Sequence, residues 1–464
     1  MPIIKKSNIF FIFIFFVFSL SFFLNFNNYN GNKFLFLFFQ ATSFALFITA
    51  IKKNNSAFEF FTYLFFLLSF WFRFNCILYF EKVRVIEGNF DLSISNYDNT
   101  TLIIIITFVA CIFASLIKKY ILKNYSEIKQ PLINNTYIEY YKRYRHFIFM
   151  VFFGFLILIY VSNSYYKIYA KGLTNTHILP ILKYFYSWSL TYGLSVITSL
   201  LIYIDFLIFK SKKVFILGLL ESFFTQLNIY SRTFAFSFIA YLRGFLSLIE
   251  FKRCVLSKSS IIGIVFLFVL IFFLSIYSVT KLRNQEFYTT NATQSQQTIA
   301  STYSHIIYLS VNRWVGIDAL LAVSQSKNLN FDFFISAWKE DKDITKKSFY
   351  TENFLKEHNK AENEKKNLNL IVTPGIVAFL YYSGSIFFVF LSIIILILTC
   401  SLIEVLFYRI SVNNIILANI IGLSLAIRII HFGYIPSNTF NFLLSVFLTL
   451  IFVFFVRKLL FKKI

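Results

Sequence analysis

Cysteine is scarce in this chain and poorly placed for chemistry. Only four occur in 464 residues: Cys76, Cys111, Cys254 and Cys400. Three fall in apolar runs and one in a short basic loop, so neither a disulfide framework nor a metal site is indicated. Acidic residues are also few, 21 against 44 Lys and Arg, for a net charge of +23. The basic residues are dispersed over short loops between apolar runs. That pattern argues against nucleic-acid binding and fits the cytoplasmic loops of a membrane protein. The apolar runs do not alternate with polar residues, which excludes an outer-membrane barrel. No repeat relates the two halves of the chain, as many transporters would show. The first apolar run, Ile9 to Leu24, comes after Lys5 and Lys6 but is not followed by a small-residue cleavage site. It reads as an uncleaved first span rather than a signal peptide.

What the chain has in abundance is apolar length. It is 58% hydrophobic, with 66 Phe and 29 Tyr, and its mean hydropathy is +0.69. Apolar stretches of about 20 residues recur from end to end, the length that crosses a bilayer as a helix. The expected fold is all-α: a polytopic membrane helical bundle of about twelve transmembrane helices. The spans are expected near 8–26, 34–51, 58–80, 101–117, 147–163, 185–208, 214–230, 232–251, 260–280, 376–402, 412–430 and 439–456. With the N-terminus cytoplasmic, every inside loop is basic, including Lys118, Lys119, Lys123, Lys129, Lys142, Arg143 and Arg145 in the 118–146 stretch. The outside loop 81–100 has a net charge of −2, from Glu81, Glu87, Asp91 and Asp98 against Lys82 and Arg84. Stretch 214–251 reads as a tight hairpin. Taken as one long helix, it would put the basic C-terminal tail outside.

The chain thus divides into three regions: spans one to nine over 1–280, one large outer (periplasmic) loop over 281–370, and the last three spans over 371–464. The loop carries 12 Lys and Arg against 10 Asp and Glu. Within it, 303–325 has helical spacing, with Ile307, Trp314, Ile317 and Leu321 near one face. Residues 330–340 form an amphipathic piece suited to a membrane interface, and 356–367 is a charged run.

Arginine at membrane depth is the strongest functional signal. It costs roughly 2.5–3.5 kcal/mol at a helix centre and so marks a site by default. Arg73, Arg232 and Arg428 all fall inside or at the rim of apolar spans, on the side of the large loop. Arg73 needs a partner, for which Glu221 or a substrate phosphate would serve. Arg232 lies at the presumed hairpin tip, after Glu221, Gln226 and Asn228. Arg428 and His431 are three apart on one helix face, before Gly433 and Pro436 end the helix. Arginine suits a diphosphate and histidine suits a proton transfer; the plainer reading is a snorkelling arginine beside an interfacial histidine. Arg243, nearer mid-membrane, suits a structural role. In the loop, Arg313, Trp314, Gly316 and Asp318 offer phosphate binding, sugar stacking and a general base, or simply the polar face of a loop helix. Pro374-Gly375 breaks the chain just before the tenth span, and Gly384 and Ser385 permit close backbone approach.

The pieces SRTFAF, NRWVGIDALLAV, TPGIVAFLYYSGS and RIIHFGY, in this order around one large outer loop, resemble Wzy-type O-antigen polymerases, the oligosaccharide repeat-unit polymerases. The resemblance is clearest over about 180–436. It implies an inverting, metal-independent glycosyltransferase of the bacterial inner membrane, multi-pass, with both termini cytoplasmic and no cofactor. A chain on undecaprenyl diphosphate would be transferred to the next lipid-linked repeat unit at the periplasmic face. Membrane lipids and a chain-length regulator are the partners it implies. Periplasmic arginines that hold the anionic donor map onto Arg232, Arg313 and Arg428, with His431 beside them. The chain departs from the Arg-x10-Gly pattern of some members, because neither Arg283 nor Arg313 has a glycine eleven residues on. From the residues alone, a lipid-linked oligosaccharide flippase, a ligase-type glycosyltransferase and a nonenzymatic scaffold also remain open. The flippase leaves the 90-residue loop without a use, and the scaffold leaves the buried arginines unexplained.

Overall fold

In the computed structural model the described residues are 3–52, 55–80, 94–121, 135–169, 178–211, 214–231, 233–251, 258–287, 311, 314–340, 348–354, 374–431 and 436–460. Among them the chain is all-helical, with no strand. Seven helices are long and apolar enough to cross a membrane: Lys33–Ala50, Ala57–Tyr79, Tyr97–Ile121, Tyr137–Tyr166, Pro180–Phe209, Ile386–Ile410 and Asn438–Lys458. The protein is therefore a helical, membrane-embedded one. Shorter apolar helices lie at Phe13–Phe26, Phe234–Ile249, Phe266–Leu282 and Ile415–Ile430.

The chain divides into two compact units, and the large loop does not stand apart from them. The first comprises Met1–Asn124, Gln297–Ser401 and Leu425–Phe442. The second comprises Tyr125–Gln296, Leu402–Ser424 and Leu443–Ile464.

In the first unit, helix 57–79 is the central element, with 67% of its best apolar window buried. A capping box starts it: Ser56 accepts from the backbone of Glu59, and Glu59 accepts from the backbone of Ser56. Glu59 is fully buried and also meets Lys118 and the Ser115 hydroxyl of helix 94–121. Midway, residues Leu67–Phe72 form a π-helical stretch, which inserts a residue and re-aims the side chains beyond it. Asn32 caps helix 33–50, accepting from Phe34 N at 2.9 Å. Its own N–H donates to Asp98, as does the Tyr29 hydroxyl at 2.8 Å. That junction fixes helix 94–121 against the first two helices. Tyr29, Phe36, Phe39, Phe74 and Phe108 fill the space between them, all fully buried.

In the second unit, 214–251 is two helices, Phe215–Asn228 and Phe234–Phe251, packed on one another as the hairpin reading expects. Gly244 lets its helix approach Ile416 closely, since a Cβ there would lie 2.7 Å from the Ile416 Cα. Arg243 reaches Asn419 at 3.4 Å, a helix-to-helix tie in keeping with a structural role. Arg145 binds Asp205 through Nε and Nη2 at 2.7 and 3.1 Å.

Two boundaries depart from the sequence reading. The expected span 376–402 is two elements: a short buried helix, Gly375–Tyr381, then a turn, then the long helix Ile386–Ile410. Hydropathy could not see the turn, because Tyr382 and Ser383 are both buried in it. Within the expected helix over 303–325, the described residues are helical at Val311 and over Ile317–Ser324, with an interruption at 314–316. Gly316, at φ +146°, breaks it, and Trp314 and Val315 are non-helical.

Candidate functional site

Helix 317–324 is buried at every position, an unusual state for part of a loop. It packs against helix 375–381 and helix 94–121, and the hydroxyls of Ser324 and Thr100 share a hydrogen bond of 2.8 Å. Its entry turn lies directly on helix 57–79. A Cβ on Gly316 would stand 3.0 Å from the Phe70 ring and 3.2 Å from the Ser69 side chain. Only glycine fits there, both for φ and for space. Ser69 and Phe70 belong to the π-helical stretch.

Immediately after that stretch, Arg73 Nη2 donates to Asp318 Oδ2 at 2.6 Å. Arg73 is 0% exposed and Asp318 8%. The pair links residues 245 apart in sequence. This corrects one expectation: the partner of Arg73 is Asp318, not Glu221, and the arginine is committed to a protein carboxylate. Asp318 Oδ1 is buried without a hydrogen-bond partner among the described residues. Burial raises the Asp318 carboxyl above its ordinary value, with Arg73 pulling the other way. A carboxylate gripped at one oxygen, with the other buried and unpartnered, keeps lone pairs that can accept a proton or a hydroxyl hydrogen.

Gly375 joins the helix that carries Arg428 to this group. At φ +75°, its Cβ position lies 3.3 Å from the carbonyl oxygen of Ile430 and 3.4 Å from Val315. Arg428 sits two residues before Ile430 on helix 415–431, half-buried, with its guanidinium 5.9 Å from the Phe442 ring centroid. Three motifs are therefore linked: the Trp314–Asp318 segment rests on helix 57–79 through Gly316 and Asp318, and Gly375 touches both Val315 and the Ile430 carbonyl near the Arg428 helix end. Arg232 and Arg313 lie outside the described residues, as do Gly433, 303–310 and 356–367. His431 is the last described residue of its helix, and its side chain lies outside the described set. Pro436 opens the next helix.

Glu221 belongs to a different constellation in the second unit. It accepts from Ser195 at 3.0 Å, Thr225 at 2.9 Å and Tyr241 at 2.9 Å, with no cationic partner among the described residues. The run of polar residues after it foreshadows helix-to-helix bonding of this kind. Among the described residues no cluster of His, Cys, Asp and Glu is arranged to hold a metal ion. No family profile, curated protein or solved structure matches the chain.

Proposed function

We propose that the chain is a membrane glycosyltransferase that polymerises undecaprenyl-diphosphate-linked oligosaccharide repeat units at the periplasmic face of the bacterial inner membrane. The observation that carries this reading is the buried Arg73–Asp318 pair, with the entry turn of the Asp318 helix at Val315–Gly316 packed on Gly375, itself against the Ile430 carbonyl of the Arg428 helix end. In the proposed topology the seven long apolar helices, the four shorter ones and helix 215–228 make twelve spans. Both termini are then cytoplasmic, and 281–370 lies outside.

In the proposed reaction, the bond between the donor's anomeric carbon and its diphosphate oxygen breaks. The acceptor hydroxyl oxygen bonds to that carbon from the opposite face. Its proton passes to Asp318 Oδ1, or to His431 as the alternative base. The diphosphate departs with its charge carried by Arg428, assisted by Arg232 and Arg313. Bidentate guanidinium contacts stabilise such a leaving group. Arg73 holds Asp318 in place, and Trp314 offers a face for a sugar ring. No metal enters this scheme, and a chain-length regulator is the partner that would set when elongation stops.

The test is surface polysaccharide length in a strain lacking the protein, complemented with wild type or with Arg428→Ala at matched membrane levels. A lipid core bearing one repeat unit in the null strain, unchanged by Arg428→Ala, supports the reading. Whole lipid-linked units accumulating toward the cytoplasm would instead identify a flippase and remove the basis for these roles.

A further inference from the structure

Helix Phe331–Trp338 divides its circumference into three sectors. At about 100° per residue, Phe333, Phe334 and Ala337 form one side, Asp332, Ser336 and Lys339 a second, and Phe331, Ile335 and Trp338 a third. The first sector faces protein. Ala337 is 1% exposed, Phe334 packs at 5.3 Å on Phe379, and Phe333 packs at 5.5 Å on Tyr382. The polar sector needs water. The third is apolar yet open: Phe331, Ile335 and Trp338 are 50%, 43% and 38% exposed. A contiguous exposed stripe of large apolar side chains calls for an occupant.

Its neighbours identify the occupant. Phe331 lies 5.1 Å from Phe388, at the start of the apolar helix 386–410. Trp338 lies 5.6 Å from Phe440, near the start of helix 436–460. Phe387 and Phe440 are themselves 69% and 51% exposed. The stripe is therefore continuous with the open apolar surfaces of two helices that are built to face lipid. Lys327 and Lys339 are exposed at the two ends of the segment, where phosphate headgroups would sit. We infer that helix 331–338 is an interfacial membrane helix, with Phe331, Ile335 and Trp338 seated among lipid acyl chains and Asp332 and Ser336 turned to water. Three environments then meet three sectors, which a water-facing or fully protein-covered helix would not need. The inference rests on membrane embedding alone and does not depend on the reaction proposed above.

The test uses the full chain in nanodiscs containing phospholipid brominated in the upper acyl region. The Trp338 contribution is isolated by subtracting Trp338→Phe, which leaves Trp71, Trp188 and Trp314. The expected result is loss of most Trp338 emission to brominated lipid and little to aqueous iodide. Quenching by iodide alone puts the stripe in water and overturns the inference. Quenching by neither means that protein, such as a second copy, covers it, and overturns the inference equally. Should Trp338→Phe fail to fold, Ile335→Cys carrying a nitroxide gives the same decision by EPR, read against identically treated wild type. Relaxation by oxygen exceeding that by a water-soluble nickel chelate supports lipid seating, and the reverse order refutes it.

Discussion

Removing one member of the Arg73–Asp318 pair should undock the loop helix without unfolding the membrane helices. Arg73 is 0% exposed and Asp318 8%, so Arg73→Met leaves a buried carboxylate without its cation. Breaking such a pair from one side costs about 3–5 kcal/mol. Asp318→Leu should cost a similar amount, plus roughly 0.3–1 kcal/mol for losing an anion in the first turn of helix 317–324. The double variant Arg73→Met/Asp318→Leu replaces both charges with apolar groups and should be far milder than the two single effects combined. The readout is amide hydrogen exchange over 320–324 in detergent, beginning with Leu320, whose N–H is bonded to the Gly316 carbonyl at 2.9 Å. At 1.36 kcal/mol per decade, the single variants should exchange roughly 10²–10⁴-fold faster there, while helix 33–50 keeps its protection. Unchanged protection in Arg73→Met, or strictly additive effects in the double variant, would refute the claim that this pair holds the loop helix down.

Three further outcomes are expected. Gly316→Ala should undock the same helix more severely than Gly375→Ala, because its Cβ meets the Phe70 ring at 3.0 Å whereas that of Gly375 meets a carbonyl oxygen at 3.3 Å; proteolysis of the loop would rank them. Glu221→Gln should lower thermal stability little, whereas Glu221→Leu removes the shared acceptor of three hydroxyls, of which Thr225 and Tyr241 keep a second partner, and should cost about 1–3 kcal/mol in all, read as the loss of monodisperse protein on heating. Burial raises Glu340 from 4.5 to about 7, although the Phe349 N–H it accepts pulls the other way. The folded state thus binds this proton more tightly than the unfolded one, and the contribution is full below about 4.5 and lost as pH rises through 7. Exchange protection over 331–340 and 348–354, after correction for the hydroxide-catalysed rise in intrinsic rate, should accordingly fall across that window in wild type and stay level in Glu340→Gln.

Much of this is readable from sequence, and the failures have specific causes. The helical membrane class and most helix cores come from run length alone, and the hairpin at 214–251 comes from charge bookkeeping on the loops. The importance of Arg73 is visible as a cost with no local compensation. Its partner is not, because nothing local to helix 57–79 points to a carboxylate 245 residues away. The break at 314–316 within the expected helix 303–325 is hidden because periodicity continues through Gly316, whose φ of +146° places it against the Phe70 ring. The π-helical stretches Leu67–Phe72 and Ser189–Gly193 are equally hidden. Each shifts the helical register by a residue, so faces drawn on a 3.6-residue wheel do not carry across it. Arg232 and Arg313 stand out by residue type and position alone, and they lie outside the described structure.

The long separation between Arg73 and Asp318 also has a consequence for biogenesis. At synthesis rates of roughly 5–20 residues per second, the 245 residues between them take on the order of 12–50 s to emerge. For all that time helix 57–79 must reside in or beside the bilayer with a cation whose carboxylate does not yet exist. Early in assembly the arginine's long side chain has to lean toward headgroups. Only the late arrival of helix 317–324 withdraws it into protein. The last third of the chain thus completes the burial of a charge committed in the first, which makes assembly of the first unit a late event in the life of the nascent chain.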